Sequence, residues 1–429
     1  MKKINLLLLF VLLIYACGEP ENQNTKLAEA TPSSVGFSED FEAQLDDFIN
    51  SAMADTIIPH GTFLVAKDNK LVYYKSFGDQ RPNDPLQNTD IYRLASMTKA
   101  VTSVAVMQLS ERGVIDLDDP VYKYIPAFEN QVVLDEVNMA DTTFTTVPVE
   151  KPVTIRNLLT HTSGIVYGSF NPGKLMAVYE KYNMNVGFSH ETWTTEEWIN
   201  RLAEVPLAHQ PGAKFSYGLS MDVLGRIIEV ASKQKLDAYF KENIFEPAEM
   251  TDTYFYQPAT NHERIVPVQM KVNGAYMSVD QLGMSAMIDY PKETGRDIFA
   301  GGAGLSGTTM DYANFIQDLV AGGNGLLSEA TTTEMSSDQL PEVLDDIRFN
   351  PFQRNGSFAL GFQLYQDKES KVSPKSPGTY EWGGFFNTKF FIDPEQQLIF
   401  VGMTQINSFQ HNDFWDDMYQ KIYDGLATE

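Results

Sequence analysis

Apolar positions recur at helical spacing early in this chain. Phe41, Leu45, Phe48, Ile49 and Met53 share one face behind Ser38, which predicts a helix capped by that serine. Strand-like runs at 62–66 and 70–76 flank Asp68-Asn69 and read as a hairpin. Further on, 91–94 reads as a short strand. Ala100, Val101, Val104, Met107 and Leu109 then make a buried helix over 96–112 that stops at Gly113. The C-terminal part offers strands near 358–365, 378–382, 388–392 and 398–404, a turn at Asp393-Pro394-Glu395 and a closing helix over 411–426. First and last segments therefore predict one antiparallel sheet flanked by terminal helices. Residues from about 96 to 325 form a mostly helical second lobe, giving an α+β fold with a cleft between lobes.

Two stretches interrupt this plan. Residues 130–151 are acidic and threonine-rich without helical period, and read as an exposed loop or hairpin. Residues 167–198 hold Phe170, Leu175, Met176, Tyr179, Tyr182, Phe188 and Trp193, and read either as core or as a lid or wall over the cleft.

Composition narrows the function. Lys and Arg total 32 against 57 acidic residues, a net charge of −25, which excludes a nucleic-acid binder because such proteins need a basic footprint. A hydrophobic content of 43% over 429 residues supports one large core or two closely packed layers. The 6 histidines show no paired ligand spacing, so neither a metal nor another cofactor is expected. Residues 1–16 read as an export signal, with Lys2 and Lys3 ahead of an apolar run too short to span a bilayer. That run ends in Ile14-Tyr15-Ala16-Cys17, which resembles a bacterial lipobox and makes the lone cysteine, Cys17, the expected lipidation site. Residues 17–36 then read as a disordered tether and 37–429 as the catalytic domain. The expectation is an exported bacterial lipoprotein, periplasmic or at the outer membrane, held by lipid alone.

The chemistry centres on Ser96-Met97-Thr98-Lys99 at the start of the long apolar helix. Side chains three apart project from one helix face, and the helix start sets N–H groups and a positive dipole end beside the serine Oγ. A lysine buried there loses solvation of its charged form and can take the serine proton, which is the logic of an acyl-transfer nucleophile. Ser232 and Lys235 also fit the spacing, but they end a polar-studded helix over 221–232, where a solvated lysine is the plain reading. No Gly-x-Ser-x-Gly elbow occurs, which argues against an α/β-hydrolase.

Two further segments match the same machinery: Pro211-Gly212-Ala213-Lys214-Phe215-Ser216-Tyr217-Gly218-Leu219 and Glu381-Trp382-Gly383-Gly384-Phe385-Phe386. With the Ser-x-x-Lys they make the chain resemble the serine β-lactamase and penicillin-binding-protein superfamily, specifically the class C-like branch that includes the family VIII carboxylesterases. The similarity runs from about Phe37 to the C-terminus and implies a β-lactamase-like fold. It implies that Tyr217 partners Lys99 as general base, and that the N–H groups of Ser96 and Phe385 form the oxyanion hole. It places Trp382-Gly383-Gly384 where penicillin-recognising members carry Lys-Thr-Gly or His-Thr-Gly. For the two glycines, close backbone approach to a ligand is one reason to be there. Leu219 stands where the family has an asparagine that meets a substrate amide. His161, in the block Val153 to Gly164, is implied to be a structural histidine at a helix end. Gly301-Gly302-Ala303-Gly304 resembles another family block, in which a glycine-rich turn leads into a helix.

Trp382 and Leu219 remove polar recognition and add apolar surface, and Trp382 removes the cation that would hold a substrate carboxylate. The expected activity is therefore hydrolysis of a small neutral ester through a Ser96 acyl-enzyme, with Trp382, Gly383, Gly384 and Leu219 on the substrate side. A β-lactamase, a D-amino-acid peptidase and a catalytically weak sensor on the same fold stay open.

Overall fold

The two ends of the chain share one sheet. The computed structural model describes residues 27–184, 193–282, 289–292, 295–320, 325–340, 356–366, 373–407 and 412–427. Its main sheet holds β1 (Ala28–Glu29), β2 (Gly61–Lys67), β3 (Lys70–Phe77), β4 (Gly356–Phe358), β5 (Gln363–Tyr365), β6 (Tyr380–Gly384), β7 (Thr388–Asp393) and β8 (Leu398–Met403), in the spatial order β1-β3-β2-β8-β7-β6-β5-β4. The β2–β3 hairpin turns on Asp68 and Asn69 at φ 53° and 58°, the left-handed pair that suits right-handed strand twist.

Several expectations need correction. The sheet is mixed, because β1 pairs with β3 in parallel, Ala28 opposite Lys70. The folded unit includes Leu27, 5% exposed, and residues 27–36 are not tether: a strand and a 3-10 turn (Pro32–Val35) occupy them. Cys17 and the rest of residues 1–26 lie outside the described residues. The first helix, α1 (Phe41–Ala54), starts behind Asp40 rather than Ser38. The run 358–365 is two strands. Gly361, at φ 93°, turns the chain between them where a Cβ would collide with the Ser103 hydroxyl.

The sheet separates two layers. On one face α1 and α6 (Asn412–Asp424) bury Phe41, Leu45, Ile49, Trp415, Met418 and Ile422 against Phe63, Val65, Phe391 and Phe400. The other face carries the larger core, built around α2 (Thr98–Glu111), α3 (Ile155–Leu159), α4 (Ser220–Ser232) and α5 (Thr309–Val320). Every α2 residue from Thr98 to Leu109 is buried, the mark of a central helix packed on all sides. Residues 130–151 form a hairpin of Val132–Asn138 and Thr143–Pro148. The aromatic stretch divides: Tyr179 and Trp198 are core, Phe170 is 42% exposed, and Phe188 lies outside the described residues. No described helix is long and apolar enough to cross a membrane.

Candidate active site

Ser96 sits in a 3-10 turn, Ala95–Met97, that leads into α2 rather than inside the helix. Ahead of it, Tyr92–Arg93 pairs with Ser306–Gly307, and Ala95 takes φ 45° to swing the chain round. A non-glycine residue there costs on the order of 1–2 kcal/mol. Neighbours hold the turn: Leu94 N–H donates to Leu305 O at 2.9 Å and the Tyr312 hydroxyl to Met97 O at 3.0 Å. Ala95 and Met97 are buried, while Ser96 is left half-buried.

One turn on, Lys99 is 1% exposed. Its Nζ donates to Ser96 Oγ at 3.2 Å, to the Tyr167 hydroxyl at 3.2 Å and to Gly302 O at 2.6 Å, so all three donors of an ammonium have acceptors. The Tyr217 hydroxyl donates to Ser96 Oγ at 2.6 Å, and its ring centroid is 4.8 Å from Lys99 Nζ. Thus the structure brings Ser96, Lys99 and Tyr217 together, and adds Tyr167. In the sequence Tyr167 is only the first aromatic of an ambiguous stretch, and no spacing from Lys99 marks it. The second Ser-x-x-Lys is a surface feature: Ser232 Oγ donates to Ile228 O and Lys235 pairs with Asp297 at 2.7 Å, both charges exposed.

The loop before α4 positions Tyr217. Ser216 N–H donates to His161 O at 2.7 Å, and Gly218 lies so tightly on Ile165 and Val166 that a side chain would collide with their backbone. His161, at φ 53° just past α3, is buried with its ring tilted against that of Tyr217 at 4.9 Å, and Phe215 and Phe358 are also around it. Burial, and then the Lys99 charge, hold its imidazole well below the usual histidine range. It is a neutral packing piece behind the phenol, and neither ring nitrogen has a hydrogen-bond partner among the described residues.

β6 forms the opposite wall. A Cβ on Gly384 would collide with Leu94 O and the Thr388 hydroxyl, and one on Gly383 would lie 2.7 Å from Thr388 O. These glycines let the strand close on the protein itself, at Leu94, Thr388 and Lys389. That closure presses the end of β6, and with it Phe385, against the turn that carries Ser96. Trp382 is 8% exposed, with its ring 5.3 Å from Tyr217 and 5.6 Å from Phe358. Leu219 needs a correction. It is 0% exposed, folded into the core as the residue before α4, and presents no surface to a substrate.

Known proteins share this architecture. Residues 45–422 match the β-lactamase family. Acyltransferase calJ of Penicillium decumbens is 30% identical over 75% of this chain and 77% of its own length. Esterase EstB of Burkholderia gladioli is 27% identical over 82% of this chain and 87% of its own. The solved structure of EstCE1, a hydrolase with promiscuous acyltransferase activity, superposes with a TM-score of 0.77 at 22% identity, covering 91% of this chain and 99% of that one.

Proposed function

The chain belongs to the β-lactamase family of serine hydrolases and penicillin-binding-protein relatives, and from that premise we propose that it cleaves neutral carboxylic esters through an acyl-enzyme on Ser96. Ser96 Oγ attacks the ester carbonyl, Tyr217 and Lys99 move the proton, and the N–H groups of Ser96 and Phe385 receive the oxyanion. Water then releases the acid. The observation that carries the reading is the hydroxyl of Ser96 held between the Tyr217 hydroxyl at 2.6 Å and Lys99 Nζ at 3.2 Å. Support for an ester over an anionic antibiotic comes from Trp382, an indole against Tyr217 at the position where penicillin-recognising relatives carry a cation. A substrate carboxylate arriving there would be desolvated without a partner, at a cost of several kcal/mol.

A substrate panel tests this. Short-chain p-nitrophenyl esters should be turned over with kcat/KM at least ~100-fold above a chromogenic cephalosporin or a D-Ala-D-Ala peptide, a gap of about 2.7 kcal/mol. Preference for either of the latter overturns the ester reading and leaves the nucleophile in place. Acyl transfer to an alcohol is the second reading, favoured by the acyltransferase relative, and it uses the same acyl-enzyme. It is detected as ester product when a small alcohol is added to the assay. We further propose export and lipid anchoring at Cys17. Cys17→Ser should abolish metabolic palmitate labelling and move the protein from the membrane to the soluble fraction.

A further inference from the structure

A cavity of about 900 Å³ lies apart from the catalytic cleft, and Ser96, Lys99, Tyr217 and Trp382 take no part in lining it. Its volume is that of a small-molecule site. The walls are largely apolar, built from Phe245, Met250, Phe255, Phe299 and Met310. Phe255 packs on Gly304, where a Cβ would lie 2.7 Å from its ring, in the turn whose Gly302 carbonyl holds Lys99. The cavity is thus packed against the catalytic apparatus without sharing its residues. Leu27 also lines it. The residues just ahead of Leu27 do not suit an apolar space, since 18–26 carry no apolar side chain beyond Pro20.

Two polar residues of α5 join these walls. Asp311 and Asn314 stand three apart, so they share one helix face, and each is 5% exposed. Asp311 Oδ2 accepts the Asp252 N–H and the Thr253 hydroxyl, both at 2.8 Å. No basic side chain pairs with Asp311 among the described residues. Arg264, whose charge its field reaches, is held by Asp252 at 2.8 Å. Asn314 Oδ1 has no hydrogen-bond partner among the described residues. A buried carboxylate without a countercharge is costly, and such groups are ordinarily paired. Burial raises this one to about 6, which leaves it ionised at pH 7.5. The exposed part of the lining adds Asp237, Glu246 and Glu249. Against them stands Lys241, which leans on Glu246 at 3.9 Å. What is missing from this space is an apolar body bearing a positive charge.

We propose that the cavity binds a small amine with an aromatic or aliphatic body, its ammonium group set between the Asp311 carboxylate and the Asn314 amide. The body replaces water along the phenylalanine and methionine walls, and the ammonium supplies the countercharge that Asp311 lacks. An anionic ligand is excluded by the same acids, and a neutral one leaves Asp311 unpaired.

The probe is 4-phenylbutylamine, titrated calorimetrically at pH 7.5 into protein comprising residues 18–429. Its neutral and anionic counterparts are 4-phenylbutanol and 4-phenylbutyrate. The amine should bind at one site with a Kd on the order of 0.1–1 mM or tighter, the range for so small a ligand. It should bind at least about tenfold tighter than the alcohol, with the butyrate weakest. Amine binding weaker than this range, or an alcohol or butyrate that matches it, overturns the proposal. Asp311→Asn should weaken the amine about tenfold and leave the alcohol unchanged, and an amine affinity that does not respond to it overturns the proposal. The comparison of the three compounds on wild type holds whether or not that variant folds. Fluorophosphonate-labelled protein should bind the amine as well as unlabelled protein does; loss of binding puts the probe in the catalytic cleft and overturns the proposal. Binding by residues 27–429 with none by residues 18–429 makes the chain's own segment up to Lys26 the occupant, and overturns it too. None of these outcomes depends on the substrate that Ser96 acts on, so the ester reading and this one can fail separately.

Discussion

On the proposed mechanism Ser96 carries the covalent step, and its neighbours can be ranked by what they touch. Ser96→Ala should lower ester turnover by several orders of magnitude with folding intact, read by steady-state kinetics and circular dichroism. Lys99→Ala and Tyr217→Phe each remove a group within hydrogen-bond reach of Ser96 Oγ, and each should cost at least ~10²-fold in kcat. Because they act as a unit, the double variant should be little worse than the worse single one. Tyr217→Phe activity near wild type would refute the base assignment. Tyr167 holds Lys99 but not Ser96, so Tyr167→Phe should be milder, roughly tenfold in kcat, with the Ser96 adduct still forming. At this scale the sequence exposed those residues whose chemistry follows a fixed local spacing or block, Ser96, Lys99 and Tyr217. Tyr167 reaches Lys99 only across the fold, and nothing in its own neighbourhood marks it.

Among the elements, the strand end at Gly384 and the turn at Ala95 form one device. The strand can lie against Leu94 only without a side chain, and that contact brings Phe385 to the Ser96 turn. Gly384→Ala should leave the protein folded, with a thermal midpoint lowered by a few degrees at most. Its kcat should drop at least tenfold because the turn and Phe385 are pushed apart. An unaffected kcat would show that this contact does not set the site. Element boundaries were legible where local chemistry fixes them: Asp68-Asn69 makes the hairpin whatever surrounds it. They were misread where a distant contact decides. Gly361 breaks 358–365 because Ser103 of α2 lies against it, and Ala28–Glu29 becomes a strand only because β3 offers an edge.

For the whole molecule, burial of acids within a core of this size couples stability to pH. Asp311, on α5, accepts from the Asp252 N–H and the Thr253 hydroxyl, and burial raises it to about 6. Its folded form binds more protons than the unfolded chain, so its contribution is full below the ordinary carboxyl range near 3.8 and is lost as pH rises through about 6. His60 runs the other way: burial lowers it to about 4, and its contribution is full above 6.5 and lost as pH falls. The two offset in the wild-type profile, so the difference between Asp311→Asn and wild type isolates the first. In urea unfolding, that difference should move in favour of the variant by roughly 2–3 kcal/mol between about pH 4 and about pH 7.5. A difference that does not change with pH would contradict the assignment. At this scale the acidic composition, the α+β layering and the Ser-x-x-Lys, Tyr and Trp-Gly-Gly segments were fixed by the chain itself, because each depends on composition, period or short spacing. Tertiary structure alone decided that Leu219 is core, that Gly384 serves a protein contact, and that Tyr167 and Gly302 surround Lys99. Those facts depend on which surfaces meet, and residues 68 to 203 positions apart meet at Lys99 only when the sheet and the helical lobe close on each other.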